Sequence, residues 1–283
     1  MNCMWQAYLS ILPPNLRTLS LKYENTLLEI RLRIHQNVEF VTTNGSESVP
    51  IVTKYEDLSY VINIASKYSP WSSHSVSQGY ITADGGHRIG ICGTAVQKNG
   101  QITGIKMPTS LCIRVSRDIQ NADERIDGTD GSILIIGPPG SGKTTLLRDI
   151  IRRKSKRRNG AVCVVDERYE IFPCCNGIPC FPVGDCTDVL YGTSKSCGIE
   201  ILLRNMTPIL IATDEITSQE DCTGLIHSNR CGVDLLCTAH AASVADLYAR
   251  KIYRPLVELD VFKWLITLKP DKSWKLERMN KCT

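Results

Sequence analysis

The segment "ILIIGPPGSGKTTLLRDIIRRK", residues 133–154, constrains this chain more than any other. Four apolar residues run into a glycine-rich turn, and an amphipathic helix follows at once. Gly137, Pro138, Pro139, Gly140, Ser141, Gly142, Lys143 and Thr144 complete the pattern G-x-x-x-x-G-K-[ST]. The glycines let successive backbone N–H groups turn toward one point and cradle an anion. Lys143 brings a positive charge to the β- and γ-phosphates of a nucleotide. Thr144, with Thr145 beside it in the same turn, brings a hydroxyl to Mg²⁺. The helix that starts here adds the positive end of its dipole. An ATP and Mg²⁺ site between a strand and a helix is the expectation. What its hydrolysis drives is open, because such loops serve kinases, switches and motors alike.

The pattern around this segment is strand followed by helix. "AVCVVD", "PILIATD" and "VDLLCTA" are apolar runs without alternation, as expected of strands covered on both faces. They predict a doubly wound parallel sheet, an α/β unit, over residues 132–283. Residues 1–117 read differently. "LLEIRLRI" alternates, with Leu28, Ile30, Leu32 and Ile34 expected inward and Glu29, Arg31 and Arg33 outward. Asn44-Gly45 and Asn99-Gly100 are turn signals. Thr53 and Glu56 have the spacing of a capping box before a helix with Leu58, Val61 and Ile62 on one face. "SLCIRVSR" is a further strand, with Leu111, Ile113 and Val115 inward. This half is a smaller α+β domain. Residues 118–131, polar and turn-rich, form the expected linker.

Composition excludes several classes. At 42% hydrophobic and 22% charged residues, the chain has the make-up of a soluble globular protein. No run approaches the ~18 uninterrupted apolar residues of a membrane-spanning helix. The N-terminus has no basic residue before a short run that ends in two prolines, which makes a poor secretory signal. A reducing compartment, and so the cytoplasm, is the expectation for the 13 cysteines. Cys174, Cys175, Cys180 and Cys186 cluster, but no C-x-x-C pair occurs, and the spacing suits small buried hydrophobes better than a zinc site.

Further polar residues end the strands. "ILIATDE" delivers Asp214, placed to hold Mg²⁺ through its shell, and Glu215, placed to accept a proton from an attacking water. "LLCTAH" brings Thr238 and His240 to the crevice at the strand ends, where a nucleotide binds in such sheets. His240 there is either a γ-phosphate contact or an ordinary core or surface residue. Asp166, Glu167 and Arg168 are either a second acidic wall of the site or a surface loop.

Taken in order, "LIIGPPGSGKTTLLRD", "VVDERYEI", "DVLYGTSKSCGIEILLRNMTP", "ATDEI" and "TAHA" resemble the stage III sporulation protein AA family. "EIRLRI", "HRIGICGTAV" and "LCIRVSRDI" extend the resemblance to most of the chain. It implies a RecA/AAA-like P-loop ATPase similar to the hexameric motors of type II and type IV secretion and pilus retraction. It makes Glu167 part of an acidic box that arranges Mg²⁺ and water, and His240 a γ-phosphate sensor. Arg88, Arg114 and Arg117 fall in segments that reach a neighbouring subunit's nucleotide in related motors, and Arg204 is a further interface candidate. The implied task is to power a secretion-like channel between mother cell and forespore, docked through the N-terminal domain to membrane-embedded partners. Thr217 stands where the family has Gly, and Ala212-Thr213 replaces a bulkier apolar pair.

A nucleic-acid-dependent ATPase is the alternative, using the basic run Arg152–Arg158. That run also fits the solvated C-terminal end of a helix. The N-terminal strands are poor in the aromatic residues that stack on bases, which counts against nucleic acid.

Overall fold

The computed structural model describes residues 4–67, 79–120, 129–156, 160–175 and 177–279. The chain forms two compact units, one of Met1–Asp118 with Pro173–Phe181, the other of Ile119–Phe172 with Pro182–Thr283.

The first unit opens with two short helices, α1 (Trp5–Ile11) and α2 (Pro14–Leu21). Strands β1 (Leu27–Arg33), β2 (Asn37–Thr42) and β3 (Gly45–Val52) follow, then helix α3 (Tyr55–Ser66). Strand β4 (Tyr80–Thr82), a 3₁₀ turn (Asp84–Gly86), β5 (Arg88–Lys98) and β6 (Gln101–Arg114) complete it. The strands lie in the order β3-β2-β1-β6-β5-β4, each antiparallel to its neighbours. Asn99 and Gly100 turn the β5–β6 hairpin with φ of 53° and 76°, as a type I′ turn requires.

Three local expectations shift. In β1 the inward residues are Leu27, Ile30 and Leu32, while Leu28 is 46% exposed and Glu29 is buried. An irregularity in the β1–β2 register between Leu27 and Glu29 moves the pleat by one residue. Glu29 is tolerated inside because Arg31 and Arg114 and the Cys112 thiol surround its carboxylate. Burial pushes its pKa up, but those partners outweigh burial and hold it below the ordinary value. Helix α3 takes Lys54, not Thr53, as its first flanking residue, and Asp57 reaches back to the Lys54 N–H at 2.8 Å. Thr53 is unsuited because its own N–H is bound to the Gln36 carbonyl. Thr42 pairs with Gly45, so the β2–β3 turn is Thr43-Asn44, one residue earlier than the Asn-Gly pair.

His87 is fully buried in this unit, edge-on to the Tyr8 ring. Its Nδ1 accepts the Ser116 N–H at 3.1 Å, which leaves the proton on Nε2, 3.2 Å from the Met4 carbonyl. Burial presses its pKa down to about 4. The unit also takes in a two-stranded hairpin, β9 (Cys174–Cys175) and β10 (Ile178–Pro179). It packs on the 3₁₀ turn, where a β-carbon at Gly86 would stand 2.5 Å from Pro173 Cβ.

The second unit is built on a seven-stranded sheet. Its strands are β7 (Ile133–Ile136), β8 (Ala161–Asp166), β11 (Thr187–Tyr191), β12 (Pro208–Glu215), β13 (Asp234–Ala239), β14 (Trp264–Leu268) and β15 (Trp274–Arg278). Its order is β11-β8-β12-β13-β7-β14-β15, parallel throughout except for the last pair. Both pleat faces are covered, as the unalternating runs required. Leu134, Ile136, Val165, Ile211 and Leu235 join a core with helices α5 (Lys195–Asn205), α6 (Gln219–Arg230), α7 (Val244–Ala249) and α8 (Arg254–Glu258). Ile133, Ile135, Val162, Val164, Ala212 and Leu236, on the alternate positions, are equally buried. Helix α4 (Lys143–Ser155) packs against the sheet and is absent from the first core, so it covers this other face with Leu146, Leu147, Ile150 and Ile151. Each such side chain contributes about 1.5–3 kcal/mol by leaving water.

The first three cations of the basic run, which form the last turn of α4, are not the solvated helix end that the sequence suggests. Arg152 is only 8% exposed and donates to the carbonyls of Ile119 and Pro182, both at 3.3 Å. Arg153 pairs with Asp149, and Lys154 donates to the Thr129 carbonyl. Arg152 and Lys154 hold α4 to the segments beside it. Arg157 and Arg158 lie outside the described residues, as do 121–128 of the linker. Among the described residues, no helix is long and apolar enough to cross a membrane.

Candidate functional site

Strand order alone assembles the site. The C-terminal ends of β8, β12, β13 and β7 stand side by side, each about 4.8 Å from the next. They carry in turn Asp166-Glu167, Asp214-Glu215, Thr238 to His240, and the loop that begins at Gly137. Strand β13 is interposed between the loop strand and the acidic strand. His240 is therefore the residue able to reach both.

It does reach both. His240 Nδ1 lies 3.1 Å from Lys143 Nζ, and Nε2 lies 2.7 Å from Glu215 Oε2. An ammonium only donates, so Nδ1 accepts, the ring proton sits on Nε2, and Nε2 donates to Glu215. Lys143 is 8% exposed and spends its other donors on the carbonyls of Gly137 at 2.9 Å and Pro138 at 3.0 Å. Burial lowers its pKa, and Glu215 opposes that shift.

The loop has the form of an anion cradle. Gly140 and Gly142 have φ of 74° and 99°, in the left-handed region, with open space where a β-carbon would project. Gly142 caps α4 without any side-chain bond, and α4 has no acidic residue in its first turn. Gly137 is packed instead: a β-carbon there would meet the Leu268 carbonyl and Ser141 Oγ at 2.8 Å. Ser141 is buried, yet its hydroxyl has no hydrogen-bond partner among the described residues. Pro138 and Pro139 shape the turn, and Thr144 and Thr145, half-buried, begin the helix. An unsatisfied buried hydroxyl, a lysine and a helix N-terminus around one open turn fit a phosphate chain and its metal.

The acidic side is denser than the motifs foretold. Asp214 is 7% exposed, and burial pushes its pKa up to about 6 although Lys195 opposes this. Among the described residues, its Oδ1 receives no aligned hydrogen bond. The Asp166–Arg168 trio divides, its three residues facing different surroundings. Asp166 is fully buried and accepts the N–H groups of Glu170, Ile171 and Phe172 at 2.8–3.1 Å, so it folds the loop after β8. Glu167 faces the acidic cluster, and Arg168 is exposed. Thr217 gives both its N–H and its hydroxyl to Asp221.

Sequence reasoning missed Lys195. Its Nζ is 2.7 Å from Glu167, 3.3 Å from Asp214 and 3.8 Å from Asp221. The available signal is its position as the first residue of α5, where the helix dipole disfavours a cation. A lysine there needs another reason. The three candidate interface arginines, Arg88, Arg114 and Arg117, each have a partner within the first unit. Arg88 lies over the Tyr80 ring at 4.1 Å, and Arg114 pairs with Glu29 while its side chain stays 67% exposed. Arg117 donates to the carbonyls of Glu24 and Leu27. Arg204 is paired on the surface with Glu200. Among the described residues, no group of three or more His, Cys, Asp or Glu is arranged to hold a metal by itself.

A sequence model described as "Sporulation stage III, protein AA" matches residues 7–276. Stage III sporulation protein AA of Bacillus subtilis (strain 168) is 33% identical over 255 residues, 87% of this chain and 83% of that protein. Among solved structures, the pilus retraction motor PilT with bound ADP superposes with a TM-score of 0.64 at 12% identity, covering 94% of this chain and 83% of that one. The Legionella pneumophila ATPase DotB gives 0.57 at 18% identity, covering 93% and 78%. The fold is that of an α/β P-loop NTPase.

Proposed function

This chain belongs to the sporulation stage III protein AA family, and from that premise we propose that it is an oligomeric Mg-ATP-hydrolysing motor of endospore formation. One observation carries the reading: His240 joins the phosphate-loop lysine to Glu215 across adjacent strand ends. A site that only bound nucleotide would have no need to tie a carboxylate to that lysine. The fold it shares with a pilus retraction motor and a secretion-type ATPase supports the same reading.

In this proposal the backbone of residues 137–142 and Lys143 hold the triphosphate. The Thr144 hydroxyl and Asp214 hold Mg²⁺, which supplies charge neutralisation at the phosphates. Glu215 orients a water and accepts its proton. His240 keeps that carboxylate facing Lys143 and reports the occupancy of the γ-phosphate position, and Glu167 borders the water side. An arginine of a neighbouring subunit completes the charge, a contribution worth roughly 10³-fold or more in rate. Of Arg88, Arg114 and Arg117, Arg114 alone is exposed, while Arg117 is held by two carbonyls. The motor works at the cytosolic face of a membrane and acts on a secretion-like channel through its amino-terminal unit.

The test is a pair of variants. Lys143→Ala should lose Mg-ATP binding by calorimetry. Glu215→Gln should bind Mg-ATP and slow turnover by a factor of about 10² or more. Normal turnover in Glu215→Gln would move the base elsewhere, with Glu167 the next candidate.

A further inference from the structure

The acidic ends of β8 and β12 and the first turn of α6 converge on one ammonium. Lys195 contacts a carboxylate from each, Glu167, Asp214 and Asp221, with 3% of its side chain exposed. Asp221 cannot swing away, because its carboxylate also accepts the N–H groups of Thr217 and Ser218 at 2.9 and 3.1 Å. Asp214, nine-tenths buried, points an Oδ1 without an aligned hydrogen bond toward the same ammonium. Three carboxylates and one ammonium leave the cluster at −2, and without Lys195 it would stand at −3. Buried carboxylates at this spacing need a cation to stay together.

We infer that Lys195 is a positioning residue that serves as the resident counter-ion of the site, holding Glu167, Asp214 and Asp221 in place so that divalent metal enters at Asp214 only together with nucleotide phosphates. A fixed positive charge 3.3 Å from Asp214 repels a divalent ion. A polyphosphate carries enough negative charge to cancel that repulsion, so the metal and the nucleotide arrive as one ligand. The inference rests on the Mg-nucleotide reading above and adds its order of loading.

The experiment uses nucleotide-free full-length protein stripped with EDTA, and Mg²⁺ alone as the probe. Melting temperature is recorded with and without millimolar Mg²⁺, and Mn²⁺ binding is followed by electron paramagnetic resonance. The wild type and Lys195→Arg should show no response. Lys195→Met should gain about 4 °C or more with Mg²⁺ and bind Mn²⁺, because the metal replaces the missing cation. The double variant Lys195→Met/Asp221→Asn, restored to −2, should respond less than Lys195→Met. A folded Lys195→Met that ignores metal would overturn the inference, as would a wild type that responds equally. Should Lys195→Met unfold in EDTA, Mg²⁺ must restore its circular dichroism, and no recovery overturns the inference too. Calorimetry of wild-type protein with Mg-ATP checks the nucleotide reading separately, and its failure would leave the metal titration interpretable.

Discussion

Asp214 is under two opposed demands. It sits where the proposed Mg²⁺ would be held, yet burial raises its pKa to about 6, above the ~3.9 of an exposed aspartate. The folded chain therefore holds this proton more tightly than the unfolded chain. Ionised Asp214 costs nothing below about pH 4, costs more as the pH rises through 6, and costs a constant amount above that. Asp214→Asn should raise the melting temperature at pH 7.5, reflecting a stabilisation on the order of 2–3 kcal/mol, a figure that already includes the opposing Lys195 attraction. The gain should fade toward pH 4, and metal-dependent turnover should be lost. Thermal melts across that range, beside an ATPase assay, decide it; a variant that melts below wild type at pH 7.5 would mean that the Lys195 pair outweighs burial. At this scale the sequence was informative where a residue type has few other uses. A GKT turn and an acidic pair after an apolar strand name Lys143, Thr144, Asp214 and Glu215. Lys195 was hidden because a surface lysine near a helix end is common, and only the folded chain brings three carboxylates from distant segments around it.

Among elements, the parallel strands were legible because burial on both faces leaves apolar runs with no other use. Strands β11 and β15 were not, since edge strands carry polar residues such as Asp188, Lys275 and Glu277. The irregularity in β1 was invisible too: nothing in "LLEIRLRI" says that a thiol and an arginine from β6 will join Arg31 in accepting Glu29 indoors. The order of the strands is likewise not written in the chain, and it is this order that sets His240 between Lys143 and Glu215. In the first unit, His87 joins α1 to the end of β6 through both ring nitrogens. With a folded pKa near 4 against about 6.5 unfolded, its contribution is complete above pH 6.5 and is lost as the pH falls toward 4. The loss amounts to roughly 3 kcal/mol. Denaturant unfolding at pH 7 and at pH 4.5 should show this slope, and His87→Gln should flatten it; an unchanged slope would place the acid sensitivity in another group.

At the scale of the whole molecule, the proposed motor shares its sites between subunits, so assembly should follow nucleotide. Glu215→Gln, which is expected to trap Mg-ATP, should shift in light scattering from the 31.5 kDa chain to a closed ring of about six. A variant that stays monomeric with nucleotide bound would require a membrane partner as template, or sink the motor reading. The chain also passes between its two units more than once. After leaving the first unit at Asp118 it returns for Pro173–Phe181, whose hairpin packs where Gly86 leaves no room for a side chain. For anyone dividing the protein into separately expressed halves, this has a practical meaning. A fragment ending at Asp118 would lack a piece of its own fold, and the complementary fragment would carry that piece with nothing to fold against. A protease nick after Asp118 would sever the backbone and still leave the two products bound as a pair, like a split reporter that never came apart.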